Sequence, residues 1–343
     1  MPPQRAQDPH FLHTVLVNVG AHVTFLDSLK MKRIASDDTF YRLTINVDCV
    51  IMVHSSLRLE SARRSRAMTA TPLKHYLLAS DFDQTLSFKD SGLVLSELLG
   101  ISGFEERVAG LARCNLVQQG GELAYLIRHD PEFRGVRREH LVEVGRRIRL
   151  KGAIPALVDF MKRGIEGYLF SFFVISAAPR EIVISALDGV LAPEHIYGTE
   201  LEFDDRSGEV RAIKRVPAGY GKVAVIEELA HRLRIASDRV IYVGDGSSDI
   251  HVMLHVNNHD GFTIAVSENK QLARIAKSTV LSDNAFSIMV PILDQLLRWR
   301  TGSIRDLFES YGLTLNEWER DRTDRVQISE LLAIHERAQA GAV

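Results

Sequence analysis

HYLLASDFDQTL, residues 75–86, runs an apolar stretch straight into two carboxylates, Asp81 and Asp83. The run His75–Ser80 is short and continuously apolar, as in a parallel strand buried on both faces rather than a half-exposed one. Two carboxylates two positions apart share a side while the backbone stays extended, and can flank one centre once it turns. Taken alone, the pair also fits an ordinary acidic turn at the end of a strand.

Two later segments repeat this layout. Val240–Val243 (VIYV) reads as a second buried strand, and GDGSSD follows directly at 244–249. The glycines permit a tight turn and close approach to a ligand. Asp245 and Asp249 converge if a helix begins between them, forming half of a hard-cation cage that suits Mg²⁺. A third apolar run ends in Ser176 (VISAAP, 174–179), where the hydroxyl and the following amides, that of Ala177 first, could hold an anion. Lys222 opens a helical pattern 23 residues before Asp245. Helical periodicity fills residues 90–150, 154–163 and 222–234. A hairpin is expected around Ser207-Gly208, and short strands at 262–266 and 278–281. Helices are expected at 287–299 and 328–338. Strands alternating with helices imply an α/β fold with right-handed crossovers and a site at the carboxyl ends of the strands.

Composition narrows the function classes. The 343 residues are 45% hydrophobic and 25% charged, and 42 Lys+Arg against 44 Asp+Glu leave a net charge of −2. That disfavours a generally basic nucleic-acid-coating protein. Two cysteines, Cys49 and Cys114, make no disulfide framework and point to a reducing compartment. No apolar stretch reaches the roughly 20 residues of a membrane span. The N-terminus lacks a clean signal pattern, so a cytoplasmic location is expected. Residues 14–26 and 43–53 could be strands, but they have no evident partner. Met68 precedes the first clear strand like a chain start. Residues 1–67 therefore read either as a poorly packed extension, whether or not it is translated, or as a small accessory subdomain.

Taken together, DxDxT at 81–85, the strand-end Ser176, Lys222 and GDGSSD at 244–249 resemble the haloacid dehalogenase superfamily over residues 75–285. The insert between the first two motifs resembles the phosphoserine-phosphatase-like branch. The resemblance implies a three-layer Rossmann-like parallel sheet with an inserted helical cap. It divides the chain into an extension (1–70), a core (71–88 and 152–299), a cap (89–151) and a C-terminal helical appendage (300–343). It also implies a Mg²⁺-dependent hydrolysis of a small phosphorylated metabolite. Asp81 would be the nucleophile and form an aspartyl-phosphate, with Asp83 as general acid and base. Ser176, Ala177 and Lys222 would hold phosphoryl oxygens. Asp81, Asp245 and the main-chain carbonyl of Asp83 would bind Mg²⁺, with Asp249 supporting it directly or through water.

The electrostatics suit those roles. Two like charges 4 Å apart repel by about 4 kcal/mol at an effective dielectric of 20, so a carboxylate attacking a phosphate needs Mg²⁺ and Lys222 nearby. Asp83 favours the phosphatase branch over dehalogenases and transport ATPases, which lack an aspartate there. Asp90 stands where phosphoserine phosphatases place an acid for the substrate amine. Arg107, Arg113, Arg128 and Arg134 are candidates for a substrate carboxylate, Arg128 chief among them. SAAP in place of a Ser-Gly-Gly stretch, and GDGSSD in place of Gly-Asp-Gly-Ala-Asn-Asp, leave the substrate open. Phosphotransfer to another acceptor and a non-catalytic phosphate- or Mg²⁺-binding regulator are the competing readings.

Overall fold

A computed structural model describes residues 17–19, 22–24, 73–165, 167–319 and 322–330, with side chains over 73–165 and 167–315. Residues 1–70 and 71–343 are two compact units. In the first, β1 (Val17–Val19) pairs antiparallel with β2 (His22–Thr24). The strand expected at 14–26 is thus a short hairpin that partners itself. The one expected at 43–53 lies outside the described residues.

The second unit is built on a seven-stranded sheet in the order β6-β5-β4-β3-β7-β8-β9. Its members are β3 (Lys74–Ser80), β4 (Tyr168–Pro179), β5 (Ile196–Phe203), β6 (Val210–Arg215), β7 (Val240–Gly244), β8 (Phe262–Ala265) and β9 (Ser278–Thr279). All neighbours are parallel except β5 and β6, the expected hairpin. Residues of β3 alternate between two cores. Tyr76 and Leu78 join a large apolar cluster on one face, while Leu77 and Ala79 join a smaller one on the other. The same alternation sends Ile241 and Val243 to the first face and Val240 and Tyr242 to the second. Burial on both faces explains why these strands read as continuous apolar runs.

Strand order reverses at β3. The chain runs outward through β4 and β5 on one side and through β7, β8 and β9 on the other. A crevice forms at such a reversal, outside the carboxyl ends of the strands. Register does the rest: Ser80 lies opposite both Val174 and Val243, so Asp81, Ser176 and Asp245 emerge at the same edge.

Four helices intervene between β3 and β4 before the crossover helix: α1 (Ser91–Leu99), α2 (Phe104–Cys114), α3 (Glu122–His129) and α4 (Arg138–Arg147). The crossover helix is α5 (Ile154–Arg163). The chain enters and leaves the four-helix insert through paired linkers. Ser87 bridges Leu150, and the Phe88 amide donates to the Arg149 carbonyl at 3.0 Å. The insert also packs on the crossover side, where α4 meets α6 (Arg180–Ala186). A Cβ on Gly145 would sit 2.4 Å from the Ile182 carbonyl oxygen, so only glycine lets these two helices approach so closely.

After β6 come α7 (Tyr220–Leu233), α8 (Ile250–Asn258) between β7 and β8, and α9 (Lys270–Ile275). The helix expected at 287–299 is a helical segment of mixed pitch, 3-10 at 285–288 and π at 292–296. The C-terminal part departs from expectation. After α10 (Thr301–Ser310), β10 (Leu313–Glu319) and β11 (Arg322–Glu330) form an antiparallel hairpin. Ile328–Glu330, expected at the start of a helix, is strand. The β-branched Thr323, Val326 and Ile328 suit a strand once residues 313–319 supply a ladder partner. The remainder of the expected helix lies outside the described residues.

Candidate active site

At the end of β3 the backbone turns sharply. The Leu86 amide donates to the Phe82 carbonyl at 2.8 Å, and Gln84 adopts a left-handed conformation, φ 54°. Asp81 stays buried at the strand end, its Oδ1 accepting the Phe82 amide at 2.7 Å. Asp83 is carried outward to α1, where Ser91 Oγ donates to its Oδ1 at 2.6 Å. The turn therefore separates the two carboxylates into different surroundings.

Lys222, from the first turn of α7, is fully buried and reaches across to the acids. Its Nζ lies 2.8 Å from Asp81 Oδ2 and 2.6 Å from Asp249 Oδ1. Asp249 is fully buried too and saturated with donors. Tyr242 donates its hydroxyl to Oδ1 at 2.6 Å, and the amides of Asp245 and Gly246 donate to Oδ2 at 3.0 and 3.1 Å. A Cβ on Gly244 would lie 2.4 Å from Asp249 Oδ2, so this turn closes only over glycine. Thr85 Oγ1 donates to Asp245 Oδ1 at 3.1 Å, which ties the first acidic turn to the second. Ser176 is buried at the end of the β4 apolar run, and its Oγ accepts the Ala178 amide at 3.1 Å. Ala177 is partly exposed, and its carbonyl accepts the Thr199 hydroxyl.

One ligand oxygen each from Asp81, Asp245 and Asp249 lie within 4.8 Å of one another. Three carboxylates against the one ammonium in direct contact with them, that of Lys222, leave about two formal negative charges unpaired. A hard divalent cation matches both that charge and the all-oxygen donor set.

The titration behaviour follows from burial. Burial pushes Asp81 up to about 6; Lys222 opposes this, and Asp249 adds to it. Burial, reinforced by Asp81 and Asp249, pushes Asp245 up to about 8. Burial, then Asp90, raises Asp83 well above the usual carboxylate range. Burial alone would lower Lys222, but Asp249 and Asp81 more than offset it and hold the ammonium charged.

A pH dependence of stability follows. Asp81 and Asp245 bind protons more tightly in the metal-free fold than at their ordinary value of 3.8. Each contributes stability that is fully present below that value and is lost as pH rises through its folded pKa. In chelator, the thermal midpoint is expected to fall as pH rises from about 5 to about 9, and a divalent cation is expected to flatten the fall. A midpoint that climbs over this range in chelator would contradict the arrangement.

The two residues expected at a substrate subsite each have a partner within the fold. Arg128 donates its Nε to the Arg211 carbonyl at 2.9 Å and so ties the insert to the β5–β6 hairpin. It is a solvated helix-end arginine that found a backbone acceptor on a neighbouring strand. Asp90 caps α1, its Oδ1 accepting the amides of Gly92 and Leu93 at 2.7 and 3.2 Å, although it remains near enough to Asp83 to raise its pKa. Of the other arginines, Arg107 pairs with Asp130 and Glu132, and Arg134 approaches Glu209 at 3.9 Å.

Two features escaped the sequence reading. Tyr242 gives one signal, a hydroxyl in an otherwise apolar buried strand, which needs a partner. Gly120, at φ 91°, gives none. It sits where a Cβ would lie 2.9 Å from Ser248 Cβ, 3.1 Å from Ala218 Cβ and 3.4 Å from Ala177 Cβ. At Gly120 the insert thus packs against the serine strand end, the loop before α7 and the acidic turn.

Residues 78–254 match the profile of the haloacid dehalogenase-like hydrolases. Among solved structures, a HAD family hydrolase from Salmonella enterica subsp. enterica serovar Typhi is 19% identical. That match covers 61% of this chain and 67% of the other, with a TM-score of 0.50. A substrate-bound phosphoserine phosphatase is 16% identical over 63% of this chain and 97% of its own, also at 0.50. A gene product of Archaeoglobus fulgidus reaches 0.54 at 14% identity over 75% of this chain and 91% of its own. At such identities the likeness is one of fold. No curated protein matches the chain.

Proposed function

Given that this chain belongs to the haloacid dehalogenase-like hydrolase family, we propose that it hydrolyses a small-molecule phosphate monoester through an aspartyl-phosphate on Asp81, with Mg²⁺ as cofactor. The observation that carries this reading is the buried contact of Lys222 Nζ with Asp81 Oδ2, 2.8 Å, beside the carboxylates of Asp245 and Asp249.

In this reading a carboxylate oxygen of Asp81 attacks phosphorus, and the bond to the ester oxygen breaks. Asp83, whose hold on a proton is strengthened by burial and by Asp90, gives its proton to the departing oxygen. A water then loses a proton to Asp83 and attacks phosphorus. The acyl-phosphate P–O bond breaks, releasing inorganic phosphate and restoring the Asp81 carboxylate and the protonated Asp83. Lys222 and the Ser176 hydroxyl, with the Ala177 amide, hold phosphoryl oxygens through the transfer. When bound, Mg²⁺ supplies the positive charge that lets an anionic nucleophile meet an anionic ester. Asp81, Asp245 and the main-chain carbonyl of Asp83 would hold it. Asp249, whose oxygens already accept four donors, would orient Lys222 and the turn rather than bind the ion directly. Residues 89–151 would act as the cap that excludes water and contacts the rest of the substrate.

The test is phosphate release by the purified full chain from a panel of small phosphate monoesters, p-nitrophenyl phosphate included. Turnover is expected with Mg²⁺. EDTA should abolish it, and excess Mg²⁺ should restore it. Unchanged turnover in chelator, or no release from any ester, would refute the assignment.

A further inference from the structure

A second lysine stands at the acidic site, one that the mechanism above does not use. Lys151 lies on the linker by which the chain leaves the insert. Its amide donates to the Leu86 carbonyl at 2.8 Å, just after the first acidic turn. Next to it the Gly152 amide donates to the Asp283 carbonyl at 2.9 Å, and the Ala285 amide returns to the Gly152 carbonyl at 2.8 Å. The backbone at 151–152 is thereby clamped between the turn bearing Asp83 and the loop at 283–285.

Lys151 is half-buried and lines a small pocket of mixed character with Thr85, Leu86, Val243, Asn284 and Ile288. Thr85 is the residue that donates to Asp245 Oδ1, so the pocket adjoins that carboxylate. Lys222 is locked into contact with Asp81 and Asp249. Lys151, by contrast, feels Asp245 and Asp283 without entering an ion pair among the described residues. Burial lowers its pKa, and those two acids oppose the shift.

We propose that Lys151 acts through Asp245 to weaken the hold of the site on its divalent cation. This rests on the cation reading given above. The ammonium partly neutralises the field of Asp245 in the metal-free protein and repels a dication placed there. Because Lys151 is fixed to the linker of the insert, the charge at the metal side of the site depends on the seating of that linker.

The experiment measures Mn²⁺ binding to the full-length protein at low ionic strength, by electron paramagnetic resonance of the free ion. Wild type, K151M, K151R and D245N are compared. K151M, which keeps the aliphatic stem, is expected to bind Mn²⁺ about fivefold more tightly, the scale of one charge beside a dication even in a watery dielectric. K151R should stay within about twofold of wild type. Equal or weaker binding by K151M overturns the proposal. K151Q carries the same expectations should K151M fail to fold. Failure of wild type to bind Mn²⁺, or undiminished binding by D245N, overturns the cation reading together with this proposal. Wild-type binding that D245N loses and K151M leaves unchanged overturns this proposal alone.

Discussion

Asp81→Asn lowers turnover by at least about four orders of magnitude, an activation free-energy increase of about 5.5 kcal/mol, while the protein stays folded. The amide has nearly the same shape, but only its oxygen accepts, so it keeps one of the two donors on the native carboxylate, the Phe82 amide or the Lys222 ammonium, and turns an NH2 toward the other. What disappears is the anionic nucleophile on which the covalent step depends. Stability should change by only about 1–2 kcal/mol, because the lost acceptor is offset by removal of a buried charge and Lys222 keeps Asp249 as its partner. The native carboxylate is itself disfavoured by burial, which pushes its pKa up to about 6 in the metal-free protein. Steady-state phosphate release and urea unfolding, measured side by side on wild type and variant, separate the two effects. Retention of more than about one per cent of turnover would remove Asp81 from the role of nucleophile.

Lys222→Met removes activity and stability together. The lysine is fully buried and is the only ammonium in direct contact with Asp81 and Asp249 among the described residues. Methionine fills a similar volume but leaves two carboxylates facing each other without that counter-charge. Breaking a buried pair in this way costs about 3–5 kcal/mol. The loss has a pH signature. Without the ammonium that opposes its protonation, Asp81 gains affinity for a proton, so the variant recovers part of its deficit as pH falls. Urea unfolding at about pH 5 and about pH 8 should therefore show the larger deficit at the higher pH. Turnover should fall by about a thousandfold, since a charge that holds the transferring group is gone. A deficit below about 1 kcal/mol at pH 8 would mean that Lys222 is not the counter-ion of the site.

The two variants separate chemistry from architecture. In the proposed mechanism Asp81 serves the reaction at some cost to the metal-free fold, and Lys222 serves both. Tyr242 and the amides of Asp245 and Gly246 belong to the architectural side, because they fix Asp249 and through it the lysine.

The acidic turns were legible because they are local. A continuous apolar run that ends in Asp81, or in Gly244-Asp245, states its own strand, its end and its chemistry within about a dozen residues. The hairpin of β5 and β6 and the helices of the insert were legible for the same reason. The segment at 328–330 misled because its pattern admits either state, and its ladder partner at 313–319 decided for strand.

By itself, then, the amino-acid order determined the α/β class, the parallel strands and the identity of the groups placed at their carboxyl ends. Each of those properties is written in periodicity and in adjacent residues. Only the tertiary structure decided which groups meet. Sheet register set Ser80 against both Val174 and Val243, and so gathered residues 81, 176 and 245 at one edge. The turn geometry directed Asp249 to Lys222 and Tyr242, drew Asp90 into capping α1, and left Arg128 to the hairpin. The reason is physical. A buried charge or hydroxyl requires a partner, but the requirement does not say which one. That choice depends on distances between segments far apart in the chain, 160 positions in the case of Thr85 and Asp245, and these exist only once the sheet has closed and the insert has seated.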